Sequence, residues 1–128
     1  MIALPDEAKR LLDAKTFPVL ATVNRDGSPQ SSVIWIKRDG DEAVFSSIRG
    51  RRKTRNMERD PRVSITVFDP DEPYRYVEIR GTVTMTDAGG RELIDELSMK
   101  YNGSAFHAEP EGTIRVVFRV TPTHVHVR

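Results

Sequence analysis

Phe17-Pro18-Val19-Leu20-Ala21-Thr22-Val23-Asn24-Arg25-Asp26-Gly27-Ser28-Pro29-Gln30-Ser31-Ser32-Val33-Ile34-Trp35-Ile36-Lys37-Arg38-Asp39-Gly40-Asp41-Glu42-Ala43-Val44-Phe45 is the stretch that decides the fold. Two apolar runs, Phe17 to Val23 and Gln30 to Lys37, are joined by Asn24 to Pro29. Asp-Gly with Pro nearby makes that connection a hairpin turn. A second hairpin follows at once, with Arg38-Asp39-Gly40-Asp41 between Ile34-Trp35-Ile36 and Ala43-Val44-Phe45. Consecutive hairpins build an antiparallel meander. Ser32 to Ile36 puts Val33 and Trp35 on one side and Ile34 and Ile36 on the other, so one barrel core cannot hide both and a second surface must cover one of them.

Outward from this region the β pattern continues. Pro5 to Lys15 reads as an opening helix, with Ala8, Leu11, Leu12 and Lys15 on one face. Ala43 to Ile48 is a strand that runs into Gly50 and a short basic helix around Lys53-Thr54-Arg55-Asn56-Met57. Arg62 to Phe68 alternates Val63, Ile65 and Val67 with polar residues. Asp69 to Pro73 reads as a loop because two prolines and three acids do not continue a ladder. Tyr74 to Thr86 is a long strand whose Gly81 marks a bend or bulge. Arg91 to Tyr101 is a helix, with Asp87 near its positive end. Asn102 to Gly112 is loop. Thr113 to Val120 alternates, Pro122 breaks it, and His124 to Val127 is a last short strand. Six or seven strands with at most three helices indicate a small, mainly β, antiparallel barrel in a single domain spanning residues 1–128.

The chain has 128 residues, 38% hydrophobic and 30% charged, and no cysteine. That describes a globular protein without disulfides, thiolate metal sites or cysteine nucleophiles. No apolar run reaches the ~18 to 20 residues of a membrane span, and Met1 to Asp6 lacks a secretion-signal pattern, so the expected location is the cytoplasm. Charge is unevenly placed. Arg49, Arg51, Arg52, Lys53, Arg55, Arg59 and Arg62 offset by Glu58 and Asp60 give +5 (seven minus two), which leaves −4 elsewhere because the total is +1. Such a cluster at a strand-to-helix turn is either a solvated basic face or an anion site, where free backbone N–H groups and cations meet phosphate.

The order of elements resembles the pyridoxamine 5′-phosphate oxidase-like split β-barrels, and within them the deazaflavin (coenzyme F-420)-dependent reductase branch. The resemblance is carried by Val19-Leu20-Ala21-Thr22-Val23, Asp26-Gly27-Ser28-Pro29-Gln30, Ser32-Val33-Ile34-Trp35, and the block Arg51 to Ile65 with its Lys-x-x-Asn-Met core and Asp-Pro-Arg-Val. It extends through Tyr76 to Val83 and weakly to Arg115 to Phe118. It implies an FMN-binding split-barrel type fold and a homodimer with a flavin or deazaflavin in each interface cleft. The cofactor is expected to rest on Ser32, Val33, Ile34 and Trp35. Its phosphate is expected to meet Arg51, Arg52 and Lys53, with Ser46, Ser47 and Asn56 close by. Tyr76 is expected to reach the partner's cofactor. Coincidence with the basic turn favours the anion site over the solvated face.

The oxidase that names the group carries a C-terminal basic substrate motif, and His124-Val125-His126-Val127-Arg128 does not supply one. The expectation is therefore a coenzyme F-420-dependent oxidoreductase acting on a small unsaturated molecule, with FMN as the alternative cofactor and with no catalytic acid or nucleophile needed. Three other readings stay open: an FMN enzyme of the same fold, a non-catalytic cofactor carrier, and a nucleic-acid-binding barrel stacking bases on Phe45, Phe68, Tyr74 and Tyr76. Only 7% aromatic residues and a net charge of +1 argue against the last, so neither nucleic acid nor membrane is expected as a partner. Trp35 reads equally as core or cofactor contact. His124 and His126 share a strand face, in an edge or interface role.

Overall fold

The computed structural model describes residues 2–128. Its elements are α1 (Asp6–Asp13), β1 (Val19–Val23), β2 (Pro29–Val33), β3 (Lys37–Asp39), β4 (Glu42–Ile48), α2 (Arg52–Arg59), β5 (Arg62–Asp69), β6 (Glu72–Thr86), α3 (Gly90–Asn102) and β7 (Arg115–Val127). All seven strands form one antiparallel sheet in the order β2-β1-β5-β6-β7-β4-β3. A flat sheet of this size would set its edge strands about 29 Å apart, at ~4.8 Å per step. Yet β2 and β3 are those edges, and only Ile34-Trp35-Ile36 joins them, a span of about 14 Å at most. The sheet must curl, and the result is a mainly β barrel split between β2 and β3.

Alternation fills the barrel. Leu20, Ile65, Val67, Val77, Ile79, Val116 and Val120 point inward, Phe45 stacks on Phe118 at 5.2 Å, and Ala8, Leu11 and Leu12 of α1 close one end. Leu93 and Leu97 of α3 pack outside the barrel on Val44, Val117 and Trp35.

The expected strand Gln30 to Lys37 is in fact two. Val33 pairs with Val19, and Ile34 N–H still reaches Pro18 O at 3.0 Å, but Pro18 has no N–H to return and the ladder stops. Ile36 then bonds to α3 side chains: its N–H donates to the Tyr101 hydroxyl (3.2 Å) and its carbonyl accepts from Lys100 Nζ (2.6 Å). Pro122 does not break the last strand, since β7 runs to Val127. Beyond Val120 its β4 side has no ladder partner to lose, and the register shifts between Arg80 and Gly81, opposite Pro122. The bulge expected at Gly81 is at that shift. The 69–73 loop shrinks to a tight turn, with β6 beginning at Glu72.

Candidate anion-binding cavity

β4 hands the chain to α2 through Gly50, whose φ of 101° suits glycine. Arg51 is the residue before the helix, no side chain caps that end, and the first turn holds no acid. A helix start leaves its first N–H groups without intrahelical acceptors and carries partial positive charge. Arg51 and Lys53 add cations where the dipole disfavours them. α2 stays in place through its buried side: Met57 enters the core, and the Thr54 hydroxyl lies 2.8 Å from Ile48 O and 3.0 Å from Ser47 Oγ. Asn56 Nδ2 donates to Thr22 Oγ1 (3.0 Å) and Asn24 Oδ1 (2.9 Å).

Beside this turn lies a cavity of about 220 Å³, lined by Val33, Ile34, Trp35, Ser46, Arg51, Lys53, Ile94, Leu97, Phe106 and Arg115. Its apolar wall is firmly built. Trp35 stacks on Tyr101 (5.2 Å between centroids, 6° between planes) and meets the edge of Phe106 at 6.2 Å. Its polar end gathers three cations. Burial, then the charges of Arg51 and Arg115, pulls the Lys53 ammonium below its ordinary pKa of 10.5. Its neutral partner, the Ser32 hydroxyl, is 3.4 Å away. No acid lines the cavity. A half-buried ammonium whose energy is raised by Arg51 and Arg115 makes this end of the cavity a receptor for an anion.

Of the residues singled out in the sequence, Val33, Ile34, Trp35, Ser46, Arg51 and Lys53 come together here, with Ser32 bonded to Lys53. The others do not. Ser47 is buried beneath α2, and its hydroxyl is used by Thr54. Asn56 is likewise buried and anchors α2 to the first hairpin instead of facing the cavity. Arg52 turns to the other side, where it lines a separate cleft with Asn24, Arg25 and Asp26. Tyr76 stands opposite Phe68, on the outer face of β6. The row of Val33 meets β6 at Glu78, three strand steps or about 14 Å away at ~4.8 Å each, and Tyr76 lies two residues further along. It cannot serve its own chain's cavity. Phe45 is fully buried, which removes it from the stacking surface of the nucleic-acid reading.

Sequence reading missed Arg115, Phe106, Ile94 and Leu97. Ile94 and Leu97 sit at the helical spacing of an ordinary packed face on α3, and Phe106 lies in a loop without periodicity. Arg115 is 53 residues beyond Arg62 and carries no local charge signal; strand pairing to Ile48 brings it beside Ser46, 3.4 Å from its hydroxyl.

Comparison with known proteins bears on what such a cavity holds. Residues 4–128 match the family model described as pyridoxamine 5′-phosphate oxidase. The chain belongs to that family. Among solved structures, an F-420 reductase is 33% identical, with a TM-score of 0.84 over 96% of this chain and 98% of that one. A putative pyridoxamine 5′-phosphate oxidase from Listeria innocua is 22% identical, with a TM-score of 0.73 over 95% of each chain. General stress protein 26 from Bacillus anthracis is 17% identical, with a TM-score of 0.73 over 95% of this chain and 91% of that one. The last two share the fold. The split barrel expected from the sequence is the fold these structures share, one that holds flavin-type cofactors. No helix among the described residues is long and apolar enough to cross a membrane.

Proposed function

We propose that this family member is a coenzyme F-420-dependent reductase that works as a homodimer. The observation that carries the reading is the meeting of Arg51, Lys53 and Arg115 at one end of an apolar slot floored by Val33, Ile34 and Trp35. That donor set fits a phosphate joined to a flat, apolar ring system: Arg offers a planar fork, Lys a point charge, and Ser46 and Ser32 neutral hydroxyls. At about 220 Å³ the slot is smaller than the ~300 to 1,000 Å³ of ordinary ligand pockets, so a cofactor-sized group extends beyond it, past exposed Val33. The 33% identical F-420 reductase supports deazaflavin over FMN.

The sheet register supports the dimer. Val33, Val19, Thr66, Glu78 and His126 form one row across β2-β1-β5-β6-β7, and Ser31, Ala21, Ser64, Arg80 and His124 form the next. This outer face has no helix over it, and it joins the Val33 rim to Tyr76. A second copy laid on it would cover Val33 and bring the partner's Tyr76 toward the slot.

When bound, the reduced deazaflavin would supply a hydride to an electron-poor double bond, and a proton from solvent would complete the saturated product. This chain's part is to hold the anionic end with Arg51, Lys53 and Arg115, to orient the ring against Val33 to Trp35, and to exclude water with Phe106. The test is fluorescence titration with coenzyme F-420 and with FMN, followed by reoxidation of the reduced cofactor over a panel of enones and quinones. Tighter FMN binding overturns the cofactor assignment; tight binding without turnover makes the protein a carrier.

A further inference from the structure

Arg115 is already engaged. Its Nε donates to Glu109 Oε2 at 3.0 Å, and the two side chains are only 13% and 12% exposed. Glu109 also pairs with Arg91 at 3.4 Å. Arg91 donates to the carbonyls of Phe106 (2.6 Å) and His107 (3.0 Å), and Asp95 accepts the Phe106 N–H at 2.9 Å. The Phe106 ring lies 5.8 Å from the Arg91 guanidinium and 5.2 Å from that of Arg115, with its edge toward Trp35. The 103–114 connection is thus tied to the cationic end of the cavity through the Glu109 carboxylate and the Phe106 ring, and Phe106 also walls the cavity.

We propose that Glu109 is an internal stand-in for the ligand's anion: a phosphate-bearing ligand displaces it from Arg115, taking over the guanidinium while the segment carrying Phe106 resettles. The inference rests on the cavity being a phosphate site, and it adds Glu109 as the ligand's competitor for Arg115. The chemistry is a simple exchange of one anion for another on a planar donor fork, which carboxylate and phosphate both match in a two-pronged manner. The Glu109–Arg115 contact must be broken before phosphate is gained, so the intramolecular carboxylate lowers the apparent affinity.

Inorganic phosphate is the probe, and Trp35, the sole tryptophan, reports from the cavity wall. Glu109→Gln keeps the shape and deletes the competing charge; phosphate should bind about five-fold tighter, the factor that corresponds to releasing one partly screened ion pair. Arg115→Met should weaken phosphate binding, and adding Glu109→Gln to it should then gain nothing, because the competitor has lost its target. An equal gain with and without Arg115 would mean that Glu109 acts only as a nearby negative charge, and the proposal fails. It fails too if Glu109→Gln leaves phosphate affinity unchanged, or if no form binds phosphate at millimolar concentration. Arg115→Lys replaces the Met variant in the cycle if that one misfolds. Coenzyme F-420 titrated against the same set separates the two claims: phosphate responding as stated while the coenzyme ignores every variant leaves this proposal standing and removes the cofactor assignment.

Discussion

Replacing Lys53 by Met should move two measurements in opposite directions. Met keeps an unbranched apolar stem and removes only the charge. In the free protein that charge is half-buried, faces Arg51 and Arg115, and has a single neutral partner at 3.4 Å. Its loss should stabilise the free protein by up to about 1 kcal/mol after solvent screening. With an anion bound the sign reverses. One charge-assisted hydrogen bond disappears, worth about 1.5 to 3 kcal/mol, which is about 10- to 150-fold in Kd. Urea unfolding without ligand gives the first quantity, and titration with inorganic phosphate and with coenzyme F-420 gives the second. The pH dependence has a fixed sign. Lys53 titrates lower in the folded chain than at its ordinary 10.5, so between those values the unfolded chain holds the extra proton and stability rises with pH. The penalty is largest below the folded-state value, and the gap between parent and variant should close as pH climbs toward 10.5. A variant less stable than the parent at pH 7, with phosphate affinity unchanged, would refute both the repulsion and the anion site.

Two further outcomes check the scaffold. Tyr101→Phe should cost about 2 to 4 kcal/mol in denaturant unfolding, because the buried hydroxyl accepts from Ile36 N–H and donates to Thr16 O (2.6 Å), and both backbone groups lose their partner; a cost below about 0.5 kcal/mol would mean that the 34–36 segment is held otherwise. Thr66→Lys, near the middle of the outer sheet face, should give a folded monomer by light scattering, since a two-fold interface doubles every added charge. A dimer of unchanged mass would place the interface elsewhere.

What the sequence made legible follows from the range of the forces involved. Alternation is local, so Val63, Ile65 and Val67 announced β5, and Asp26-Gly27 announced the first turn. Charge density is also local, and it found Arg51 and Lys53. The break after Val33 was hidden because Ile34 and Ile36 keep strand-like alternation while their backbone leaves the ladder; the cause, Pro18, lies just before the facing strand. Pro122 was misread for the opposite reason, since a proline halts a strand only where a ladder needs its N–H. Ser47 and Asn56 come near the ligand only through the family resemblance, which does not say whether a polar side chain points at the cavity or underneath the helix. Burial decides that, and burial is a property of the whole fold.

Arg115 is the instructive omission, because what fixes it is a residue with no side chain. The first turn of α3 crosses β7 at Gly90, where an added Cβ would lie 2.5 Å from the Arg115 carbonyl oxygen and 2.7 Å from its Cβ. Only glycine lets the helix settle that close. The same approach carries Ile94 and Leu97 onto the cavity wall, and it carries Arg91 and Asp95 to the loop that presents Phe106 and Glu109. The cation cluster is therefore not assembled by attraction among its members, which repel. It is imposed by backbone contacts paid for in the core, with Phe45 stacked on Phe118 where β4 and β7 pair. Arg51 and Lys53 keep that geometry without ligand, so an anion arriving there meets two donors already in position and a third, Arg115, still held by Glu109.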